Sequence, residues 1–467
     1  MSQFTWTDHS VRQALDLSAN LVDPSLEYAG VSTDSRSVAE GALYVALVGE
    51  RFDGHDFVAD ALAKGAAGAV VSRPVEAKPS APLYPVDDTL EALGSLATFR
   101  RTSLEVPVVG ITGSSGKTTT KDLTRAALGM TRSVHATPGN LNNRIGMPLT
   151  LLSTPTEVDV VLLEMGSNKP GEISTLSAIA RPDIAVVTTV GESHLDKLGS
   201  FAGVLNEKLD LFRGMTAGGL CVVGDEPAAL VDAAKALCSN LRIAGWSERA
   251  DADLRPEQVE VDVFGGHHFR WRGHPVTLAL PGRHSVANAL ISLAIAELVG
   301  VSPRDAIRGL ASAEVSSLRG EIRRIGNLRV VVDCYNANPQ SLRAALELLN
   351  DQPANSRTVA VLGTMLELGH KAPRLHEETL EYALGLNIDL VVATGGFAEA
   401  AEALEADEPK VLRAQDWRKA YPALSDWLEG DEVLLLKASR GIALEAMIPL
   451  LEADFGSGSN SVTAGEA

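Results

Sequence analysis

An α/β chain divided into three domains is what this sequence predicts: a small α/β N-terminal domain (1–86), a central domain (87–316) and a C-terminal domain (317–455), the last two built on mostly parallel sheets, with a tail at 456–467. Three observations carry that expectation. At 467 residues the chain is too long for one core, since a domain usually takes about 150 residues. Apolar, β-branched runs alternate with helical stretches along most of the length. The first of these runs ends in a glycine-rich turn followed by Lys-Thr, a junction that fits the end of a parallel strand.

The N-terminal stretch "GVSTDSRSVAEGALYVALVGERFDGHDFV" (30–58) has short strands separated by turn residues, and "ADALAKGAAGAVV" (59–71) reads as an Ala-rich helix. The proline-bearing "RPVEAKPSAPLYPVDD" (73–88) leads out of the domain, and "TLEALGSLATFRRTSL" (89–104) has the apolar spacing of a connecting helix. Four runs follow: "VPVVGIT" (106–112), "VDVVLLEMG" (158–166), "PDIAVVTTVG" (182–191) and "GGLCVVGD" (218–225). Four more come later: "LRVVVDCYN" (328–336), "RTVAVLG" (357–363), "IDLVVATGG" (388–396) and "DEVLLLKAS" (431–439). Strands apolar on consecutive residues are buried on both faces, and alternation with helices implies parallel sheets with right-handed crossovers. A boundary is expected near "SAEVSSLRGE" (312–321), after the helix "SVANALISLAIAELVG" (285–300). The tail "GSGSNSVTAGEA" (456–467) has too little apolar content to fold and is expected to be disordered.

Charge excludes some partners. The 41 basic and 60 acidic residues give a net charge of -19, a field that repels polyanions, so nucleic acid is not expected as a main partner. Cys221, Cys238 and Cys334 have no CxxC spacing and sit in or near apolar stretches, so they read as reduced core thiols in a cytoplasmic protein. "MSQFTWTDHS" lacks the basic region and apolar run of an export signal, and no stretch reaches the roughly 18 apolar residues of a membrane helix. Neither export nor membrane insertion is expected. Nothing demands an obligate partner, and a monomer is the expectation.

"GITGSSGKTTTKD" (110–122) is the stretch with the clearest chemistry. In a phosphate loop of the form G-x-x-x-x-G-K-[ST], backbone N–H groups cradle phosphates, Lys neutralises them and the hydroxyl reaches Mg2+. Gly116-Lys117-Thr118 fits the end of that pattern, but Ile111 stands at the first glycine, and the glycines are Gly110 and Gly113. The strand before it and the helix after it are the right context, because a helix N-terminus favours anions. Such a loop by itself leaves motors, kinases, GTPases and ligases all open. Glu164 closes "DVVLLE" and His194 follows another run in "VGESHLD", which puts both at the carboxyl edge of the expected sheet. A hard oxygen ligand plus one imidazole suits Mg2+ held mainly by phosphates and water.

At this point the sequence resembles one family, the ATP-dependent Mur ligases of peptidoglycan synthesis. The resemblance rests on "STDSRSVAEGALYVALVGERFDGHDF", "GITGSSGKTTTKD", "TPGNLNNRIGMPLTLL", "LLEMGSNKPGEI", "GESHLDKLGSFAGVLNEKLDLF", "PGRHSVANAL", "DCYNANPQSLRAAL", "LGTMLELG" and "KASRGIALE". The shifted loop T-G-x-x-G-K-T is itself similar to the family's form. It implies an N-terminal domain that grips a UDP-sugar, a central P-loop ATPase domain and a C-terminal Rossmann-like domain. "TPGNLNN", "EMGSNKPGEI", "YNANP" and "LGTMLELG" are similar to the member that adds a dipeptide. The implied partners are therefore UDP-N-acetylmuramoyl-tripeptide and D-alanyl-D-alanine, joined through an acyl phosphate at the expense of ATP. A ligase adding the third amino acid, a folylpolyglutamate-type relative and a non-catalytic nucleotide-binding relative are the alternatives.

The resemblance also implies roles. ATP is expected at Gly110, Thr112, Gly113, Ser114, Ser115, Gly116, Lys117, Thr118 and Thr119, with Asn288 at adenine, Arg319 at phosphate and Asp333 at ribose. Lys117, Glu164, His194 and Lys208 are expected to be catalytic, with Mg2+ on Thr118, Glu164, His194 and Lys208. Lys208 holds metal only as a carbamate, since an ammonium would repel it; an ordinary exposed helix lysine is the competing reading. Substrate is expected at Thr33, Ser35, Glu50, Arg51 and Phe52 for the uridine end, and at Thr137, Asn140, Asn142, Asn143 and Ser167 in the middle. Tyr335, Asn336, Asn338, Lys437, Ser439 and Arg440 complete the set in the last domain. One departure is Thr364, where the family usually has Asp.

Overall fold

The computed structural model describes all residues except 1–3, 19–22, 77–80, 263–264, 315, 354–355, 407–409 and 457–467. All but the first residue of the expected disordered tail lies outside the described residues. Every one of the eight apolar runs contains a strand, and three α/β bodies follow one another along the chain.

The first body has a four-stranded parallel sheet in the order Val31–Ser32, Leu43–Val45, Gly68–Val71, Leu83–Pro85, with a two-stranded ribbon of Trp6–Thr7 and Glu27–Tyr28 beside it. Here the Ala-rich reading is corrected. The helix covers only Val58–Ala63, and Gly68–Val71 is a strand. Alanine favours helix, but Gly65 breaks it at φ 115 and burial on both faces claims the rest for the sheet. Below this sheet Asp8 is buried, and accepts hydrogen bonds from Tyr84 Oη (2.5 Å), Arg12 Nε (2.9 Å) and Asp23 N (2.7 Å).

The helix Thr89–Thr102, capped by Asp88 Oδ1 on the N–H groups of Leu90 and Glu91, connects to the central body. Its six parallel strands lie in the order Leu241–Ala244, Leu220–Gly224, Ile184–Val187, Val108–Thr112, Val160–Glu164, Val134–Ala136. Alternate residues face opposite layers. Val109, Ile111, Leu162 and Val186 pack with the helices Lys117–Gly129 and Arg283–Leu298, while Val108, Val161, Leu163 and Val187 pack with Glu172–Ala180 and Phe201–Arg213. This two-sided burial explains the unbroken apolar runs. A small antiparallel sheet, Glu257–Val261, His267–Trp271 and His274–Leu278, covers one side with Phe269 and Trp271 turned into the core. It is absent from the sequence-based expectation.

In the last body the order is Glu321–Ile325, Leu328–Asp333, Val433–Lys437, Thr358–Leu362, Leu390–Thr394, Val411–Ala414, parallel except for the first, antiparallel edge strand. No helix among the described residues is long and apolar enough to cross a membrane.

The reading of three reduced thiols is corrected. Cys221, in the strand Leu220–Gly224, and Cys238, which ends the helix Ala228–Leu237, form a disulfide, while Cys334 is free and buried. A strand, a turn and an antiparallel helix bring the two residues side by side, which their sequence spacing does not reveal.

Candidate active site

The carboxyl ends of the central strands open into a cavity of about 1230 Å³ whose far wall comes from the C-terminal body. The strand Val108–Thr112 leads into the turn 113–116, and the helix beginning at Lys117 follows directly. Gly113 (φ 148) and Gly116 (φ 83) make the turn possible: a Cβ on the first would sit 2.1 Å from Thr188 Oγ1, and on the second 2.6 Å from Asn288 Oδ1. Gly116→Ala is therefore expected to weaken ADP binding about 10- to 100-fold by calorimetry, the equivalent of about 1–3 kcal/mol of backbone strain.

Lys117 is half-buried and donates to Gly113 O at 2.7 Å. Burial pushes its pKa down, with Glu164 opposing and Arg319 reinforcing. Thr118 Oγ1 donates to Glu164 Oε1 at 3.0 Å, and Asn142 Nδ2 donates to the same oxygen at 2.7 Å. Glu164 Oε2 is buried without a hydrogen-bond partner, 3.6 Å from Lys121 Nζ. An orphaned carboxylate oxygen beside a threonine hydroxyl fits a divalent cation.

On the other side of the loop, His194 begins the short helix Leu195–Leu198, and its Nδ1 is 2.6 Å from Glu367 Oε2. Burial lowers its pKa; the Glu367 carboxylate works against this, and Lys117 and Lys208 with it. Lys208 is buried on Phe201–Arg213 and donates to Ser167 Oγ at 2.7 Å. The reading of an exposed lysine is excluded. Its pKa is pushed down to about 7 by burial and then by Lys117, against Glu207 and Glu172. Glu207 accepts from Gly171 N (2.7 Å) and Ile173 N (2.8 Å), which ties this helix to the start of Glu172–Ala180 and fixes where Lys208 points.

The C-terminal body closes the cavity. Asn338 caps the helix Pro339–Asn350 and donates from Nδ2 to Ser115 Oγ at 3.2 Å, and Gln340 Nε2 donates to Thr189 Oγ1 at 2.8 Å. Arg319 stacks on Tyr335, 3.8 Å from the ring centroid, and Lys437 Nζ donates to Asp333 Oδ2 and Asn336 O, both at 2.7 Å. Asn140, Asn142, Asn143, Ser167, Asn288 and Thr119 also line the cavity.

Several expected residues lie elsewhere. Gly110 is inside the strand, wedged against Leu211, Met165 and Pro182, so its role is packing and not phosphate contact. Thr112 Oγ1 donates to Met165 O, and Thr137 Oγ1 accepts from Glu164 N; these hydroxyls hold strands. Ser439 Oγ accepts from Leu366 N, and Arg440 pairs with Glu445. Thr33, Ser35, Glu50, Arg51 and Phe52 do not line this cavity; Phe52 is 62% exposed beside the Val48–Asp53 bridge. Thr364 Oγ1 accepts from Gly396 N at 3.0 Å. Lys121, Glu367 and Gln340 were not anticipated, although Lys121 follows Lys117 by one helical turn and Glu367 belongs to the quoted "LGTMLELG".

Three family models match: the Mur ligase middle domain over residues 111–296, the Mur ligase glutamate ligase domain over 319–440, and the Mur ligase family catalytic domain over 27–101. The UDP-N-acetylmuramoyl-tripeptide–D-alanyl-D-alanine ligase of Bacillus subtilis (strain 168) is 36% identical over 427 residues, 90% of this chain and 92% of that protein. The chain belongs to the Mur ligase family. A crystal structure of MurF from Acinetobacter baumannii matches this Mur ligase with a TM-score of 0.87 and 32% identity, covering 97% of this chain and 100% of that one. The MurF ligase from Thermotoga maritima in complex with ADP matches with a TM-score of 0.81 and 29% identity, covering 91% and 97%. The fold is the three-domain α/β fold of these ligases, and the chemistry is ATP-dependent amide ligation.

Proposed function

We propose that this Mur ligase joins D-alanyl-D-alanine to UDP-N-acetylmuramoyl-tripeptide, giving UDP-N-acetylmuramoyl-pentapeptide, ADP and phosphate in peptidoglycan synthesis. The observation that carries the reading is similarity over nine-tenths of the chain to ligases bearing that name. The tripeptide carboxylate oxygen attacks the γ-phosphorus of ATP; an O–P bond forms, the bond to the bridging oxygen breaks, and ADP leaves. The dipeptide amine then attacks the acyl carbon, a C–N bond forms, phosphate departs and the amine loses a proton.

Two anions must meet, so positive charge is the main catalytic requirement. Lys117 would hold the triphosphate at the turn, and Arg319, stacked on Tyr335 with a buried, unpartnered Nε, supports a phosphate role from the domain junction. Thr118 and Glu164 would hold one Mg2+, and His194 with a carbamylated Lys208 would hold a second. When bound, Mg2+ would supply neutralisation of the negative charge on the reacting groups. A buried amine with a pKa near 7 is neutral often enough to take up CO2, which supports the carbamate. Asn288 is proposed for adenine and Asp333 for ribose. Asn140, Asn142, Asn143, Ser167, Tyr335, Asn336 and Asn338 are proposed to face the peptide end. Thr33, Ser35, Glu50, Arg51 and Phe52 are proposed to meet the uridine end, away from the ATP cavity.

We place the domain boundaries at 1–86, 87–316 and 317–455, consistent with the separate sheets. Cytoplasmic location follows from the need for ATP; the cysteines no longer argue for it. Phosphate release is expected to require both UDP-N-acetylmuramoyl-tripeptide and D-alanyl-D-alanine, with pentapeptide product identified by mass spectrometry. Turnover with single amino acids and none with the dipeptide would overturn the assignment.

A further inference from the structure

We propose that Glu367 is a positioning residue that orients His194 for its cation, and that it does so only when the C-terminal body is seated on the central one. The inference rests on the ligase reading for the presence of ATP and Mg2+.

His194 has little to hold it on its own element. It precedes a helix of four residues, makes no side-chain capping bond, and has a left-handed backbone at φ 52. Its contact at Nδ1 is the Glu367 carboxylate, 2.6 Å away, on a loop of the other body. Glu367 is itself left-handed at φ 64. Two non-glycine residues in this sparsely populated region therefore face each other across the junction, an arrangement that persists only where the surroundings enforce it.

Those surroundings are visible on both sides. Met365 N donates to His376 Nε2 (2.9 Å) and Leu366 N to Ser439 Oγ (3.0 Å), which anchors the loop to the C-terminal body. Toward the central body, Asp196 N donates to Glu367 O at 3.5 Å. Gly369, at φ 59, passes so close that a Cβ there would lie 3.0 Å from Asp196 Cα. The loop is thus fixed at one end and fitted to the 194–196 turn at the other.

The chemistry follows from the pairing. A carboxylate accepts the Nδ1 proton, so the lone pair of the ring is at Nε2, and His194 lines the cavity. Carboxylate, imidazole and cation in sequence is the usual way a protein sets the tautomer and direction of a histidine ligand. The Glu367 side chain is 53% exposed, so the pair contributes little to stability, and its effect is expected in the site rather than in the fold.

The test uses the full-length protein with Mn2+ as the probe. Mn2+ binding is followed by electron paramagnetic resonance in the presence of a non-hydrolysable ATP analogue, alongside turnover. Glu367→Ala is expected to weaken one Mn2+ about 10- to 100-fold and to lower kcat comparably, with the KM for ATP and the melting temperature nearly unchanged. Glu367→Gln is expected to restore most of the loss, since its amide oxygen accepts the same proton. Combined with His194→Ala, Glu367→Ala should add nothing. Mn2+ affinity and kcat within about twofold of wild type, or full additivity with His194→Ala, would overturn the proposal. In either case wild-type turnover is intact and the ligase reading stands. A wild-type protein that binds no nucleotide and turns over with no amine would instead remove both.

Discussion

Lys117→Ala is expected to abolish ATP-dependent phosphate release, with a loss of about 10³-fold or more, because it removes the main positive charge from the place where phosphoryl transfer begins. The side chain is half-buried on the cavity wall, its pKa is lowered by desolvation, and its ammonium donates to the Gly113 carbonyl. A partly desolvated cation hydrogen-bonded to a neutral carbonyl is costly until an anion arrives. The empty variant should therefore melt no lower than wild type. The difference appears with nucleotide: ADP at 100 times its Kd stabilises wild type by about 2.7 kcal/mol, and the variant should show a small part of that shift. Thermal melting with and without ADP, beside phosphate release, checks both halves. Retained turnover would contradict the role given to the loop.

Lys208→Met is expected to separate function from stability. Turnover should fall about 100-fold or more, while the melting temperature stays level or rises, because methionine fills the volume without carrying a charge into a buried site. The pH dependence has a definite sign. The unfolded lysine titrates near its ordinary value of 10.5 and the folded one near 7, so between these the unfolded chain binds the extra proton and stability rises with pH. The advantage of Lys208→Met in melting temperature should thus be largest at about pH 6.5 and shrink towards about pH 10. The same titration governs the carbamate: CO2-depleted buffer below about pH 7 should inactivate the wild type, and bicarbonate at about pH 8 should restore it. Full activity in Lys208→Met would dismiss the residue from the site.

Strands buried on both faces were legible in the sequence because burial leaves unbroken apolar runs, as in Val160–Glu164 and Val433–Lys437. Edge strands were not. Val134–Ala136 is half-buried throughout, and Val411–Ala414 has one fully buried residue, so neither carries a run. His267–Trp271 does alternate buried and half-buried residues, yet its charged neighbours obscure the period. In the site, Lys117, Thr118 and Glu164 could be placed because a strand end and a helix start fix them locally. Glu367 could not, since its position depends on how one body rests on another. Gly110 was misplaced for the opposite reason: a glycine beside a loop motif looks like part of it, whereas here close packing by Leu211, Met165 and Pro182 excludes a larger residue.

The amide of Asn338 belongs to two structures at once. Its Oδ1 accepts from Ser341 N at the start of one helix, and its Nδ2 holds Ser115 in the turn that cradles nucleotide. With Gln340 on Thr189, these bonds exist only while the two bodies touch. Each is worth about 0.5–1.5 kcal/mol, so parting the bodies takes a barrier contribution of a few kcal/mol that has nothing to do with making an amide bond. Spent nucleotide must leave through that same opening. Opening of this junction is thus a step separate from chemistry, and a burst of phosphate in the first turnover is the measurement that shows whether it limits the cycle.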